Sequence, residues 1–141
     1  MVQQLSETGV RRLGPESVEA AVEVLATSFS HYPMTRHFFP GGDYEAKLRA
    51  LFRVSCESRI ILGWPLLGTF EADSLVAVAC VSVPDRRPDP PELEEAERRF
   101  LDRIGPQAAA RVEEYSRQKA AYVPTRPHLY LAAVGVEPRH Q

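Results

Sequence analysis

The sequence predicts a mixed α+β (α/β) domain, a single sheet with helices packed on both of its faces. Three observations lead there. Two runs, Leu75 to Val83 and His128 to Val136, are apolar on both of their alternating sides, as strands covered on two faces are. Segments with apolar residues at helical spacing separate the strand candidates. The resulting order is strand, helix, helix, strand, strand, helix, helix, strand, with no internal repeat.

Each element has its own signal. Val10 to Leu13 is a short strand candidate after a loose terminus. Pro15 and Glu16 suit the first turn of a helix, and Val18, Ala21, Val22, Leu25 and Phe29 recur at the spacing of one buried face. Pro33 and Pro40 punctuate an aromatic-rich stretch that reads as a structured loop or short helix. Asp43 is placed to cap the next helix, with Leu48, Leu51, Phe52 and Ser55 facing inward and Gly63 at its end. Leu66 to Glu71 and Leu75 to Val83, joined by Ala72-Asp73-Ser74, read as a β-hairpin closed by Pro84. Asp89 is placed to cap a third helix carrying Leu93, Ala96, Phe100 and Ile104. Gly105-Pro106 breaks that run, and a fourth helix carries Val112 and Tyr115 toward Tyr122. The charges of Glu92 to Arg99 read as a solvated helical face with i,i+4 pairs. In the final strand the pleat puts Leu129, Leu131, Ala133 and Gly135 on one side and Tyr130, Ala132, Val134 and Val136 on the other. Pro138 stops it near Val136.

Composition narrows the class. The length suits one domain, and 44% hydrophobic with 26% charged residues matches a soluble globular chain. A net charge of −2 without a basic face argues against a nucleic-acid partner, and no apolar run approaches the length of a membrane span. The two cysteines, without a C-x-x-C spacing, and the absence of a signal-peptide pattern fit a cytoplasmic protein with reduced thiols. His31 and His37 have no acidic or cysteine partner at a metal-ligand spacing, so no metal is expected.

Val134-Gly-Val-Glu-Pro-Arg-His-Gln141 resembles the approach to the acyl-CoA site of the GNAT superfamily of N-acetyltransferases, a strand followed by V-x-P-x-x-Q. Phe29-Ser-His-Tyr-Pro-Met-Thr-Arg-His37, Arg103-Ile-Gly-Pro106 and Leu131 to Gln141 are similar, in register, to the puromycin N-acetyltransferase-like branch. The resemblance implies a mostly antiparallel GNAT-like acyl-CoA N-acyltransferase fold, with residues 1–141 as one incomplete domain that stops where a glycine-rich pyrophosphate loop would begin. It implies acetyl transfer from acetyl-CoA to a primary amine of a small molecule. Val134, Gly135 and Val136 would contact the pantetheine arm through the main chain, Gln141 would open the pyrophosphate loop, and a main-chain N–H near Val136 would hold the oxyanion. Phe29, Tyr32 and Arg36 are the acceptor-side candidates. Of nearby groups only Glu137 and Tyr130 could serve as a base, and the pattern assigns neither; His140 reads as exposed. A chain lacking the loop is expected to be inactive alone. It could instead be a non-catalytic interaction fragment that self-associates through an unpaired strand edge.

Overall fold

The computed structural model describes residues 9–85 and 87–141, so the terminus expected to be loose lies outside the described residues. Four strands form one antiparallel sheet in the order β1-β2-β3-β4. They are β1 (Val10–Arg12), β2 (Leu66–Glu71), β3 (Ser74–Ser82) and β4 (Tyr130–Val136). Between β1 and β2 lie α1 (Val18–Ser28), α2 (Pro33–Phe38) and α3 (Tyr44–Leu62); between β3 and β4 runs α4 (Pro91–Ala120).

The local chemistry sets most boundaries. Pro15 opens a 3-10 turn, Pro15–Ser17, which feeds α1. Val22 and Leu25 of α1 point into the core. Asp43 sits at the N-cap of α3 without a side-chain bond to it. Gly63 ends the same helix at φ 70, a left-handed cap in which the Trp64 N–H donates to Arg59 O at 2.9 Å. Helix α4 begins after Pro90 rather than at an Asp89 cap. Proline supplies no capping oxygen, but its fixed φ and missing N–H suit a helix start. The break at Gly105 (φ 83, ψ 167) falls where the sequence puts it and divides α4 into two helical halves, as expected. The acidic and basic residues of α4 pair on its exposed side, Arg99 with Glu95 at 3.5 Å and Arg98 with Asp102 at 3.3 Å.

Helices α1 and α3 lie on the face of the sheet that carries Leu66, Val78, Cys80 and Gly135, and their apolar faces meet those residues in one core. Phe100, Ile104 and Ala108 of α4 join the same core. On the opposite face Ala77, Ala79 and Val81 are only half-buried, and the described residues bring no packed helix over them. The second helical layer expected from two-sided apolar strands is therefore not among these residues.

Strand β4 departs in two ways from what its apolar run alone suggests, the first being the unpaired edge that the resemblance implies. It is an edge strand: β3 pairs with it on one side and nothing among the described residues pairs with it on the other, so Leu131 is 58% exposed and Val134 49%. Its uninterrupted apolar run, which reads as a central strand, reports what could cover the strand and not what does. Second, Cys80 pairs with Ala133 but Val81 with Leu131, so Ala132 is an extra residue in a bulge. The bulge shifts the pleat by one and puts Leu131 on the face opposite Ala133, breaking the alternation read from the sequence.

Gly135 marks the closest approach of sheet and helix. A β-carbon there would lie 2.9 Å from Ser28 Oγ and 3.0 Å from Leu25 Cδ2, so α1 can press on β4 only because this side chain is absent. Gly135→Val is expected to lower stability by about 1–3 kcal/mol through overpacking, read as a lower urea midpoint at unchanged slope. An unchanged midpoint would show that α1 does not rest on β4.

Candidate functional site

The site is built where β4 leaves β3. The Glu137 N–H donates to Val76 O at 2.7 Å, so the peptide groups of Glu137 face β3, and by alternation those of Gly135 and Ala133 do too. Val134 and Val136 then point their N–H and C=O groups away from the sheet. The Val136 carbonyl already has partners there, accepting from Ser28 Oγ at 2.9 Å and from Gln141 Nε2 at 2.8 Å. Ser28 has one hydroxyl proton and two carbonyls in range, Val24 O at 2.6 Å and Val136 O, so Gln141 supplies what Ser28 cannot give to both. The outward N–H and C=O of Val134 and the N–H of Val136 remain open among the described residues.

Behind this edge is an apolar cavity of about 190 Å³, bounded by α2, α3, the second half of α4 and the bulge of β4. Phe29, Phe38, Phe52, Cys80, Tyr115 and Ala133 are among its walls, and no charged side chain lines it. Phe29 stacks against Phe52 at 5.1 Å, and the Tyr115 ring meets Phe38 edge-on at 5.4 Å. Of the larger hollows, those of about 410 and 490 Å³ lie along the outer side of α3 without a residue of β4, one of about 280 Å³ reaches β4 only at Tyr130, and one of about 380 Å³ lies by the β2–β3 hairpin and the last turn. Their size does not outweigh their separation from the open edge of β4.

The segment before α2 is held by a buried network. The Thr35 hydroxyl lies 2.9 Å from Tyr32 O, 3.2 Å from Phe29 O and 2.9 Å from Tyr44 Oη, and the Tyr44 hydroxyl reaches Phe29 O at 3.3 Å. Thr35 is fully buried, so these bonds offset the cost of taking its hydroxyl out of water. Of the three acceptor-side candidates only Phe29 lines the cavity. Tyr32 sits edge-on to Phe29 at 5.3 Å and is 46% exposed. Arg36 turns aside: its guanidinium lies 3.7 Å over the Tyr44 ring and donates to Ser30 O at 3.1 Å. Val134, Gly135 and Val136 fall together on β4, but the peptide groups of Gly135 face β3 and so do not offer the main-chain contact expected of it; Gln141 folds back onto that strand.

Ser28, Phe52 and Tyr115 were not among the candidates. Ser28 had a legible signal, since Gly135 announces a close approach and the small residue beside Phe29 is its natural partner. Tyr115 reads from the sequence only as part of the buried face of α4 and joins the site through the path of that helix.

The turn after β4, a 3-10 segment Pro138–His140, is tied to the β2–β3 hairpin. His140 places Nε2 2.7 Å from Glu71 and Nδ1 2.8 Å from Glu137, and Arg139 Nε lies 3.0 Å from Glu137. Hydrogen bonding from His140, then from Arg139, holds the Glu137 carboxyl below its ordinary value. A carboxylate engaged in these contacts is a poor base, so the geometry does not make Glu137 one.

No protein-family model matches the chain, and no curated protein does. Among solved structures the chain is similar to a histone acetyltransferase HPA2 and related acetyltransferase from Corynebacterium glutamicum, with TM-score 0.68 and 23% identity over 94% of this chain. The fold is that of a GNAT-type acetyltransferase. The chain spans 61% of the length of that neighbour. No helix among the described residues is long and apolar enough to cross a membrane.

The ion network of the last turn is pH-dependent. A lowered carboxyl pKa contributes stability that is present above the unfolded value, ~4.3, and is lost as pH falls through the folded value. The Glu137 carboxyl is therefore expected to titrate below the ordinary glutamate range by NMR, and His140→Ala is expected to move it back up. A Glu137 midpoint unmoved by that substitution would dissolve the assigned contact.

Proposed function

We propose that the chain forms the donor side of an N-acetyltransferase that moves an acetyl group from acetyl-CoA to a primary amine of a small molecule, in the puromycin N-acetyltransferase-like branch of the GNAT superfamily. The observation that carries this reading is the open edge of β4 standing beside an uncharged cavity. A pantetheine arm is an extended chain with two amide groups, and an unpaired strand edge offers amides the bonds that a neighbouring strand would. Val134 would give and accept one such pair, which leaves the outward N–H of Val136 free for the reacting carbonyl. Gln141 would stand at the start of the pyrophosphate side.

Acetyl-CoA brings an activated thioester; the chain's own groups orient it and prepare the amine. An alkyl ammonium has a pKa of ~10.4 and cannot attack until it loses a proton. Walls without charge disfavour the ammonium form and so lower that pKa within the cavity. The oxyanion formed on attack needs a fixed donor, and the outward N–H of Val136 is the one the strand supplies. Phe29 shapes the acceptor cavity, while Tyr32 and Arg36 stand outside its walls.

A second reading has an observation of its own. The exposed Leu131 and Val134 beside unpaired peptide groups also suit a module that pairs through the β4 edge with another copy of the chain. A defined dimer in size-exclusion chromatography that acetyl-CoA does not dissociate would favour it.

Val134→Pro separates the readings from simple loss of structure. It deletes one N–H that points away from β3, and proline is tolerated on an edge strand. Calorimetry is expected to show acetyl-CoA binding weakened about three- to tenfold, the worth of one main-chain hydrogen bond, with Val134→Ala near wild type. Equal affinity of the proline variant and the parent would exclude pantetheine from this edge.

A further inference from the structure

Helix α3 and strand β3 face each other through two pairs of side chains that the acyl-transfer reading leaves unused. Cys56 and Arg59, one turn apart on α3, stand opposite Cys80 and Ser82, on the same side of β3. Both cysteines are free and without solvent exposure. Arg59 is 8% exposed, and none of the ion pairs among the described residues includes it. Its guanidinium donates to Ser55 O and Ser58 Oγ, each at 3.1 Å, and to Ser82 Oγ at 2.8 Å. Its Nε is buried with no hydrogen-bond partner. A buried cation with no carboxylate and an unused donor is costly unless a negative group can form near it. The ionisable groups acting on Arg59 are the two thiols. Cys80 also lines the apolar cavity, which gives that sulfur an approach Cys56 lacks.

We propose that Cys56 and Cys80 are an oxidation site in which Cys80 reacts first, with a small peroxide arriving through the cavity, and Cys56 then closes a disulfide between α3 and β3. In the first step the Cys80 thiolate attacks one peroxide oxygen; the O–O bond breaks, the other oxygen leaves as hydroxide and takes up a proton, and a sulfenic acid remains. In the second the Cys56 sulfur displaces that hydroxyl, which leaves as water with the Cys56 proton. Two thiols lose two electrons and one peroxide becomes two waters. The pair's acidity runs the same way. Hydrogen bonding from Cys56 and the nearby Arg59 charge draw the Cys80 thiol down against the effect of burial, while contact with Cys80 and burial push Cys56 up.

The test is peroxide treatment of the folded protein, then alkylation in denaturant and intact-mass measurement. The expected result is a monomer that has lost two hydrogens and both alkylatable thiols together. Cys56→Ser should stop at a sulfenic acid that dimedone labels on Cys80, whereas Cys80→Ser should leave Cys56 unoxidised over the same time. Arg59→Gln should slow disulfide formation measurably, because it removes a charge that favours the Cys80 thiolate, and Arg59→Lys should restore part of the rate. Circular dichroism checks that each variant is folded, and the two cysteine variants decide the proposal even if Arg59→Gln is not. Disulfide-linked dimers, dimedone on Cys56 in the Cys80→Ser chain, or thiols that survive peroxide would overturn it.

Discussion

Everything at the site depends on one ladder, the antiparallel pairing of β3 with β4. Because that pairing engages the peptide groups of Ala133, Gly135 and Glu137, it must turn those of Val134 and Val136 outward. No side chain at the site would be worth much without this. A strand end held in another register would present the wrong carbonyls, and a one-residue slip would bury the edge groups that now stand open. The register is fixed from both sides. Gly135 lets α1 lock onto the strand at Ser28 and Leu25, and the Glu137–His140–Glu71 contacts fasten the strand's far end to the hairpin.

The cavity follows from the same arrangement. An extra residue at Ala132 bends β4 where α2, α3 and α4 converge, so the sheet stops short of the helices and leaves apolar space. The Thr35–Tyr44 network keeps the preceding segment from collapsing into it. Thr35 and Tyr44 satisfy each other and two carbonyls, which fixes Phe29 as a wall while Arg36 spends its charge on the Tyr44 ring. It is this uncharged space beside open peptide groups on which the proposed acyl transfer rests.

Some of this was legible in the residues. Helical spacing found α1 and α3, Gly63 marked a left-handed cap, and Gly105-Pro106 marked the break in α4. The strand at Tyr130–Val136 was clear from its composition, whereas its open edge followed only from the family resemblance and not from the apolar run itself. An apolar strand reads alike whether its own chain or a ligand is to cover it, so alternation cannot tell a centre from such an edge. The bulge was hidden for a related reason: it exists only relative to β3, and no local pattern around Ala132 carries it. Likewise the partners of Thr35 and of Arg59 are set by packing between elements. The sequence offered the polar residues but not their pairing.

The most direct test of the account is amide hydrogen exchange along β4, residue by residue, in the free protein and with acetyl-CoA. The account predicts slow exchange at Ala133, Gly135 and Glu137 and fast exchange at Val134 and Val136, with the last two slowing when acetyl-CoA is added. Protection of Val134 and Val136 in the free monomer equal to that of Gly135 would contradict it, because the edge would then already be filled.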